Sequence, residues 1–120
     1  LKRLLIVDDQ EDVCRLLEIV LQGPAREIRV SGNGEDALRL ARSFRPDVVL
    51  LDIMMPGGID GLAVARSLKG DPEMAGTKVL IVTARTLQAD REAAFAAGAD
   101  DFLTKPFDVA ELQERIENLL

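Results

Sequence analysis

Histidine, tryptophan and tyrosine are absent from the 120 residues, and there is a single cysteine. Without histidine there is no imidazole base and no imidazole metal ligand. One thiol, Cys14, cannot close an intrachain disulfide, which fits a reducing, cytoplasmic setting. No apolar run approaches the ~20 residues that span a bilayer, and no secretory signal pattern opens the chain. Positive charge is short as well. Fifteen Lys and Arg stand against 21 Asp and Glu, a net charge of −6, which argues against direct binding of nucleic acid or an anionic membrane by this domain. What remains is 48% hydrophobic and 30% charged, enough for one core and a solvated surface. The length suits one domain over 1–120, and Leu1 in place of an initiator Met fits a segment of a longer protein.

Short apolar runs alternate with amphipathic stretches. Leu4-Leu5-Ile6-Val7 ends in Asp8-Asp9, Val48-Val49-Leu50-Leu51 ends in Asp52, and Val79-Leu80-Ile81-Val82 ends in Thr83. None alternates with polar residues, so each reads as a strand buried on both faces. Weaker strands are expected at Glu27–Val30 and Asp101–Thr104. Helical spacing joins Val13, Leu16, Leu17, Val20 and Leu21, then Ala37, Leu40, Ala41 and Phe44, and later Val109, Leu112, Ile116 and Leu119. Two further helices fit Leu62–Lys69 and Thr86–Ala97, the latter Ala-rich around Phe95 with little anchoring bulk. Five β–α units in succession imply an α/β fold, a parallel sheet covered by helices on both faces. In such sheets, sites form beyond the carboxyl ends of the strands.

Those ends carry Asp8-Asp9, Asp52, Thr83 and Lys105-Pro106. Taken singly, each acid or hydroxyl could be a helix cap and the lysine a solvated charge. Together they bring carboxylates, a hydroxyl and an ammonium to one edge. Clustered carboxylates repel, and a hard divalent cation relieves them. Mg²⁺ suits such oxygen donors plus a main-chain carbonyl and water, whereas the lack of His and the lone Cys disfavour zinc. With the metal bound, one carboxylate can attack a phosphoryl group while Lys and Thr steady its oxygens.

The segments Leu4–Asp9, Val48–Pro56, Asp60-Gly61, Val82-Thr83-Ala84 and Gly98–Phe107 together strongly resemble the receiver domain of two-component response regulators. The resemblance covers essentially the whole chain. It implies a flavodoxin-like sheet in the order 2-1-3-4-5, doubly wound with five helices, as in the chemotaxis member of the family. It implies that Asp52 is the phosphoacceptor. Asp8 and Asp9 match the acidic pair, Asp9 as the direct Mg²⁺ ligand and Asp8 partly through water, with the main-chain carbonyl of Met54 as a further ligand. Thr83 and Lys105 match the groups that grip the phosphoryl oxygens. Phe102 takes the place of a switch aromatic that swings inward on activation, and the Lys105–Pro106 bond matches one that is cis in the family.

The function implied is a phosphorylation switch, not an enzyme, fed by a sensor histidine kinase or phosphotransfer protein. A flavodoxin-like FMN electron carrier is the alternative on this fold. Asp8-Asp9 would repel its phosphate, and flanking Trp or Tyr is missing. A phosphatase with an Asp nucleophile would need an Asp-x-Asp after the first strand, which Asp8-Asp9-Gln10 does not match. One departure from the family is the three residues Gly57-Gly58-Ile59 between Pro56 and Asp60-Gly61, where two are expected. Arg91, Asp101, Glu111 and Arg115 form a charged group on the last two helices and strand. Glu111 and Arg115, four apart, can simply pair in solvent. The resemblance instead implies a phosphorylation-promoted homodimer with Arg91 on Glu111 and Asp101 on Arg115 across a two-fold axis. Cys14, Met54 and Met55 are expected to serve packing through their side chains.

Overall fold

A computed structural model describes residues 1–55 and 60–120. The Gly57-Gly58-Ile59 departure lies outside the described residues. The chain runs β1 (Lys2–Val7), α1 (Glu11–Leu21), β2 (Arg26–Ser31), α2 (Gly34–Phe44), β3 (Val48–Leu51), α3 (Gly61–Gly70), a 3₁₀ turn (Pro72–Met74), β4 (Lys78–Thr83), α4 (Gln88–Ala96), β5 (Asp101–Thr104) and α5 (Val109–Leu119). All strand pairs are parallel, in the order β2-β1-β3-β4-β5. Val7 pairs with Leu51 and Leu51 with Ile81, so the carboxyl ends are level.

Strand alternation divides the core in two. Leu5, Val7, Val49, Leu51, Val79, Ile81 and Phe102 face α2, α3 and α4. Leu4, Ile6, Val48, Leu50, Leu80, Val82 and Leu103 face α1 and α5. Both sides of each central strand are therefore apolar, the physical origin of the unbroken apolar runs. β2 is an edge strand, and its partial exposure explains its weak sequence signal.

Several helices begin at a side-chain cap. Asn33 Oδ1 accepts the Asp36 N–H at 2.8 Å and opens α2. Asp60 Oδ1 accepts that of Ala63 at 2.8 Å and opens α3. Asp108 Oδ1 accepts that of Ala110 at 2.9 Å and opens α5. No such bond starts α4, which begins two residues later than expected and buries only Ala94. Two periodicity assignments also need correction. Leu16 and Val109 are 47% and 42% exposed, because the apolar stripes of α1 and α5 are wider than the strip of sheet each covers.

Gly98 turns the chain from α4 into β5 with φ +101°, a conformation that side chains rarely adopt. A Cβ there would also lie 2.8 Å from Lys69 Cγ. Lys69 is not free to move away. Its ammonium donates to Asp100 Oδ2 at 2.9 Å and to the Thr77 carbonyl at 3.1 Å, while Asp100 accepts the Val79 N–H at 2.8 Å. Gly98→Ala is therefore expected to cost about 1–3 kcal/mol of stability, measured by chemical denaturation. Adding Lys69→Ala should not restore stability, because the backbone strain persists.

Candidate functional site

Asp8 and Asp52 each extend their strand by one hydrogen bond. The Asp8 N–H donates to Ser31 O and the Asp52 N–H to Val7 O, both at 3.1 Å. This carries both carboxyl groups into the protein, where they are 3% and 5% exposed. The Lys105 N–H donates to Thr83 O at 2.8 Å, tying the residue after β5 to the end of β4. From there the Lys105 ammonium reaches Asp8 Oδ2 at 2.6 Å and Asp52 Oδ2 at 2.9 Å. The remaining carboxylate oxygens accept main-chain N–H groups, Asp8 Oδ1 from Gln10 and Asp52 Oδ1 from Met54, each at 2.9 Å. The Lys105–Pro106 bond is cis, as the resemblance implies.

Burial dominates the electrostatics of Asp8. It pushes the carboxyl above its ordinary value even though Lys105 and the Gln10 N–H both favour the charged form. Burial also works against the Lys105 ammonium, but the two carboxylates outweigh it and hold the group above the usual lysine value. Beneath them, the Cys14 thiol donates to Asp8 O at 3.3 Å. Burial, assisted by the Asp8 charge, pushes it up to about 11, which suits a packing role and not a thiolate.

Of the expected residues, Asp8, Asp52 and Lys105 meet directly. Asp9 is exposed at the mouth, lining one cleft with Gln10, Asp52, Met54, Ala84 and Lys105. Thr83 is fully buried at the end of β4, its hydroxyl oxygen accepting the Arg85 N–H at 3.3 Å. Phe102 is already inside, 3% exposed, so an inward swing is not needed to bury it. Met55 packs in the core, whereas the Met54 side chain is 50% exposed. Arg115 forks to Asp101 Oδ1 at 2.6 Å and Glu111 Oε1 at 3.1 Å within its own chain. The guanidinium of Arg91 lies over the rings of Phe95 and Phe102.

The three carboxylates do not form one tight cluster. Among the described residues, no three His, Cys, Asp or Glu converge closely enough to hold a metal as they stand. Lys105 draws Asp8 and Asp52 together, and Asp9 stays in solvent. The residues of the cleft nevertheless fit Mg²⁺: the carboxylates of Asp9 and Asp52 line it, with no imidazole or thiolate among the lining side chains. Its volume of about 290 Å³ leaves room for a hydrated ion.

Sequence reasoning gave no role to Gly61 or to the amides of Gln10 and Met54. A Cβ on Gly61 would sit 2.2 Å from Asp52 O, so only glycine lets the start of α3 approach the Asp52 backbone. Main-chain donors leave no residue-type signal, but the glycine directly after the α3 cap was a usable one.

The raised Asp8 value has a sign that can be tested. Asp8 contributes most to stability when protonated, below its ordinary 3.8, and that contribution fades as pH rises through the folded value. Asp8→Asn removes the titration. The stability of the Asn variant relative to wild type, followed by denaturation from pH 3 to 7 without divalent ions, should therefore rise with pH. A difference that falls with pH would reverse the assignment of burial as the dominant influence.

The family model of the response regulator receiver domain matches residues 4–117. The response regulator PleD of Caulobacter vibrioides is 43% identical over 117 residues, 98% of this chain and 26% of PleD. The DNA-binding response regulator MtrA of Mycobacterium tuberculosis is 40% identical over 115 residues, 96% of this chain and 49% of MtrA. The chain thus spans about a quarter and about half of these relatives. Among solved structures, the chemotaxis protein CheY4 of Vibrio cholerae superposes with a TM-score of 0.91 at 26% identity, covering 100% of this chain and 99% of that one. The receiver domain of a signal transduction histidine kinase from Syntrophus aciditrophicus gives 0.90 at 32% identity, covering 100% and 90%. Sequence and fold agree over nearly every residue, and this chain belongs to the response regulator receiver domains, the phosphorylation-dependent signalling switches of two-component systems.

Proposed function

We propose that Asp52 accepts a phosphoryl group from the phosphohistidine of a sensor histidine kinase or phosphotransfer protein. The observation that carries this is the Asp52 carboxylate at the end of β3, held between the Lys105 ammonium and the Met54 N–H at 2.9 Å each and lining an open cleft. A carboxylate oxygen attacks phosphorus, an O–P bond forms, and the P–N bond breaks with its electron pair staying on the donor imidazole. No general base is needed, because a carboxylate carries no proton that must be removed before it attacks. Lys105 can pass from the carboxylate to a phosphoryl oxygen without losing its charge partner, and the Thr83 hydroxyl donates to another. Asp9, Asp52 and the Met54 carbonyl would hold Mg²⁺, with Asp8 acting partly through water. Bound there, the ion would offset negative charge on the phosphoryl oxygens. Water later attacks the acyl phosphate, releasing phosphate and restoring Asp52, so the only turnover is the chain's own dephosphorylation.

A cytoplasmic setting belongs to this reading. So does a single module over 1–120 within a longer regulator, in which other parts of the protein supply the output. The net charge of −6 supports a module that leaves any nucleic acid binding to those parts. Among the described residues, no helix is long and apolar enough to cross a membrane. The flavin alternative is disfavoured by the two buried carboxylates at the strand ends, which would repel its phosphate.

Acetyl phosphate with Mg²⁺ should label wild type by +80 Da on intact mass, on the order expected for one phosphoryl group, and Asp52→Asn should abolish the label. Asp9→Ala should weaken Mg²⁺ binding at least about ten-fold, as loss of a charged ligand does, with little change in metal-free stability. Undiminished labelling of the Asn variant would refute the acceptor, and an unchanged Mg²⁺ affinity would refute the ligand.

The dimer face is a further part of the proposal. Arg115 holds Asp101 and Glu111 of its own chain, so a two-fold dimer must exchange these for Asp101–Arg115 and Arg91–Glu111 pairs between copies. Partly exposed pairs are worth about 0–1 kcal/mol each, so the charges set register while apolar neighbours supply affinity. Sedimentation should find the unmodified chain monomeric and the phosphorylated chain dimerising. Arg115→Glu should weaken that dimer and an added Asp101→Arg should restore it. A phosphorylated chain that stays monomeric at high concentration would rule this interface out.

A further inference from the structure

The fourth helix is held differently from the others. α2 buries Ala37, Ala41 and Phe44, and α3 buries Val64, Ala65 and Leu68. α4 has nine residues and Ala94 as its only buried residue, and like α1 it has no side-chain cap. Methyl groups alone make poor anchors, since apolar attachment scales with the area buried. The large group beneath α4 is the ring of Phe102 on β5, whose outward approach is covered by Arg91. The Arg91 guanidinium lies 5.5 Å from the Phe102 centroid and 5.3 Å from that of Phe95, four residues along the same helix. Two of the four aromatic side chains in the protein meet on this one cation. Among the described residues Arg91 has no carboxylate at ion-pair distance, so the two rings are its partners.

The first turn of α4 has a second hold, directed at the site. Arg85 Nε lies 3.6 Å from Asp90 Oδ1, and the Arg85 N–H donates to the Thr83 hydroxyl oxygen at 3.3 Å. Asp90 and Arg91 are adjacent. One tethers α4 to the loop that senses Thr83, and the other tethers it to β5. A Thr83 hydroxyl drawn toward a phosphoryl group disturbs the first tether directly and reaches the second only through movement of α4.

We propose that Arg91 is a positioning residue, a cationic clasp over Phe95 and Phe102 that holds α4 on β5 and biases the domain toward the unphosphorylated arrangement. The bias rests on the phosphorylation reading above, whereas the clasp itself does not. The attraction is between the cation and the negative faces of the rings. A lysine should keep part of it, and a methionine of similar length should keep only the packing.

The test compares wild type, Arg91→Lys and Arg91→Met in the free chain and after Mg²⁺ with acetyl phosphate. Amide hydrogen exchange over Gln88–Ala96 should run about two- to five-fold faster in the Met variant. The Lys variant should lie between it and wild type, and α1 to α3 should be unchanged. In NMR spectra, α4 and β5 amides of the unphosphorylated Met variant should shift along the line joining the free and acetyl phosphate-treated wild-type positions, as a two-state bias requires. Unchanged exchange in the Met variant, or equal acceleration in the Lys variant, would overturn the cationic clasp. Shifts off that line would overturn its role in the switch. If acetyl phosphate moves no wild-type resonance, the switch role falls with the phosphorylation reading, while the exchange comparison still decides the clasp.

Discussion

The bridge from Lys105 to Asp8 and Asp52 is the interaction on which the site depends. Two carboxylates at the ends of adjacent strands would repel one another, and each would be costly to remove from water. The sheet does remove them, because each strand gains one more ladder bond by continuing through its aspartate. An ammonium between them, 2.6 Å and 2.9 Å away, and one main-chain N–H on each remaining oxygen make this tolerable. The arrangement is satisfied and yet unsettled. Burial still holds the Asp8 carboxyl above its ordinary value, so the metal-free site is a compromise that an added cation can improve.

Much of this was legible in the sequence, for a definite reason. Strands buried on both faces leave unbroken apolar runs, and the first polar residue after each run has to emerge at the carboxyl edge. That places Asp8, Asp52 and Thr83 at one edge, with Lys105 directly after the weaker fifth strand. β5, Asp101–Thr104, was expected only as a weaker strand, because just Phe102 and Leu103 of its four residues are buried. What sequence could not carry was which side chains face each other across that edge. Asp8 and Asp9 are indistinguishable by type, but Asp8 is still held in the ladder through its N–H to Ser31 O, whereas Asp9 lies past it and is exposed. The start of α4 lies two residues later than expected, because the Ala-rich stretch marks no inner face and no side chain caps the helix. Leu16 and Val109 satisfy helical periodicity without finding sheet to cover. The amides that fix the carboxylates belong to the main chain and have no letter of their own.

The same sheet separates what must be rigid from what can move. The Asp52 side is over-determined: Asp52 is gripped at both oxygens, its carbonyl is packed against Gly61, and its strand lies in the middle of the sheet. The α4 side is under-determined, with methyl-sized anchors and polar tethers. A helix held by apolar bulk resists displacement in proportion to the area it buries. A helix held by an ion pair and a cation on aromatic rings can exchange those contacts for others at little net cost, because each is worth only about 1 kcal/mol at an exposed site. Low anchoring therefore puts α4 within reach of a local event at Thr83, in a way that α2 and α3, with their buried Phe44 and Leu68, are not.

This division constrains how a phosphoryl group could act at a distance. A charge-assisted hydrogen bond is worth a few kcal/mol at most, far less than the cost of repacking either half of the core. It can, however, outweigh one weak tether and shift a two-state element of comparable free energy. The surface that changes should then be the one whose attachments are polar and replaceable: α4 through Asp90 and Arg91, and the adjoining Asp101–Arg115–Glu111 group on β5 and α5. These contacts lie on α4, β5 and α5 beside Thr83, and that gives the switch a direction.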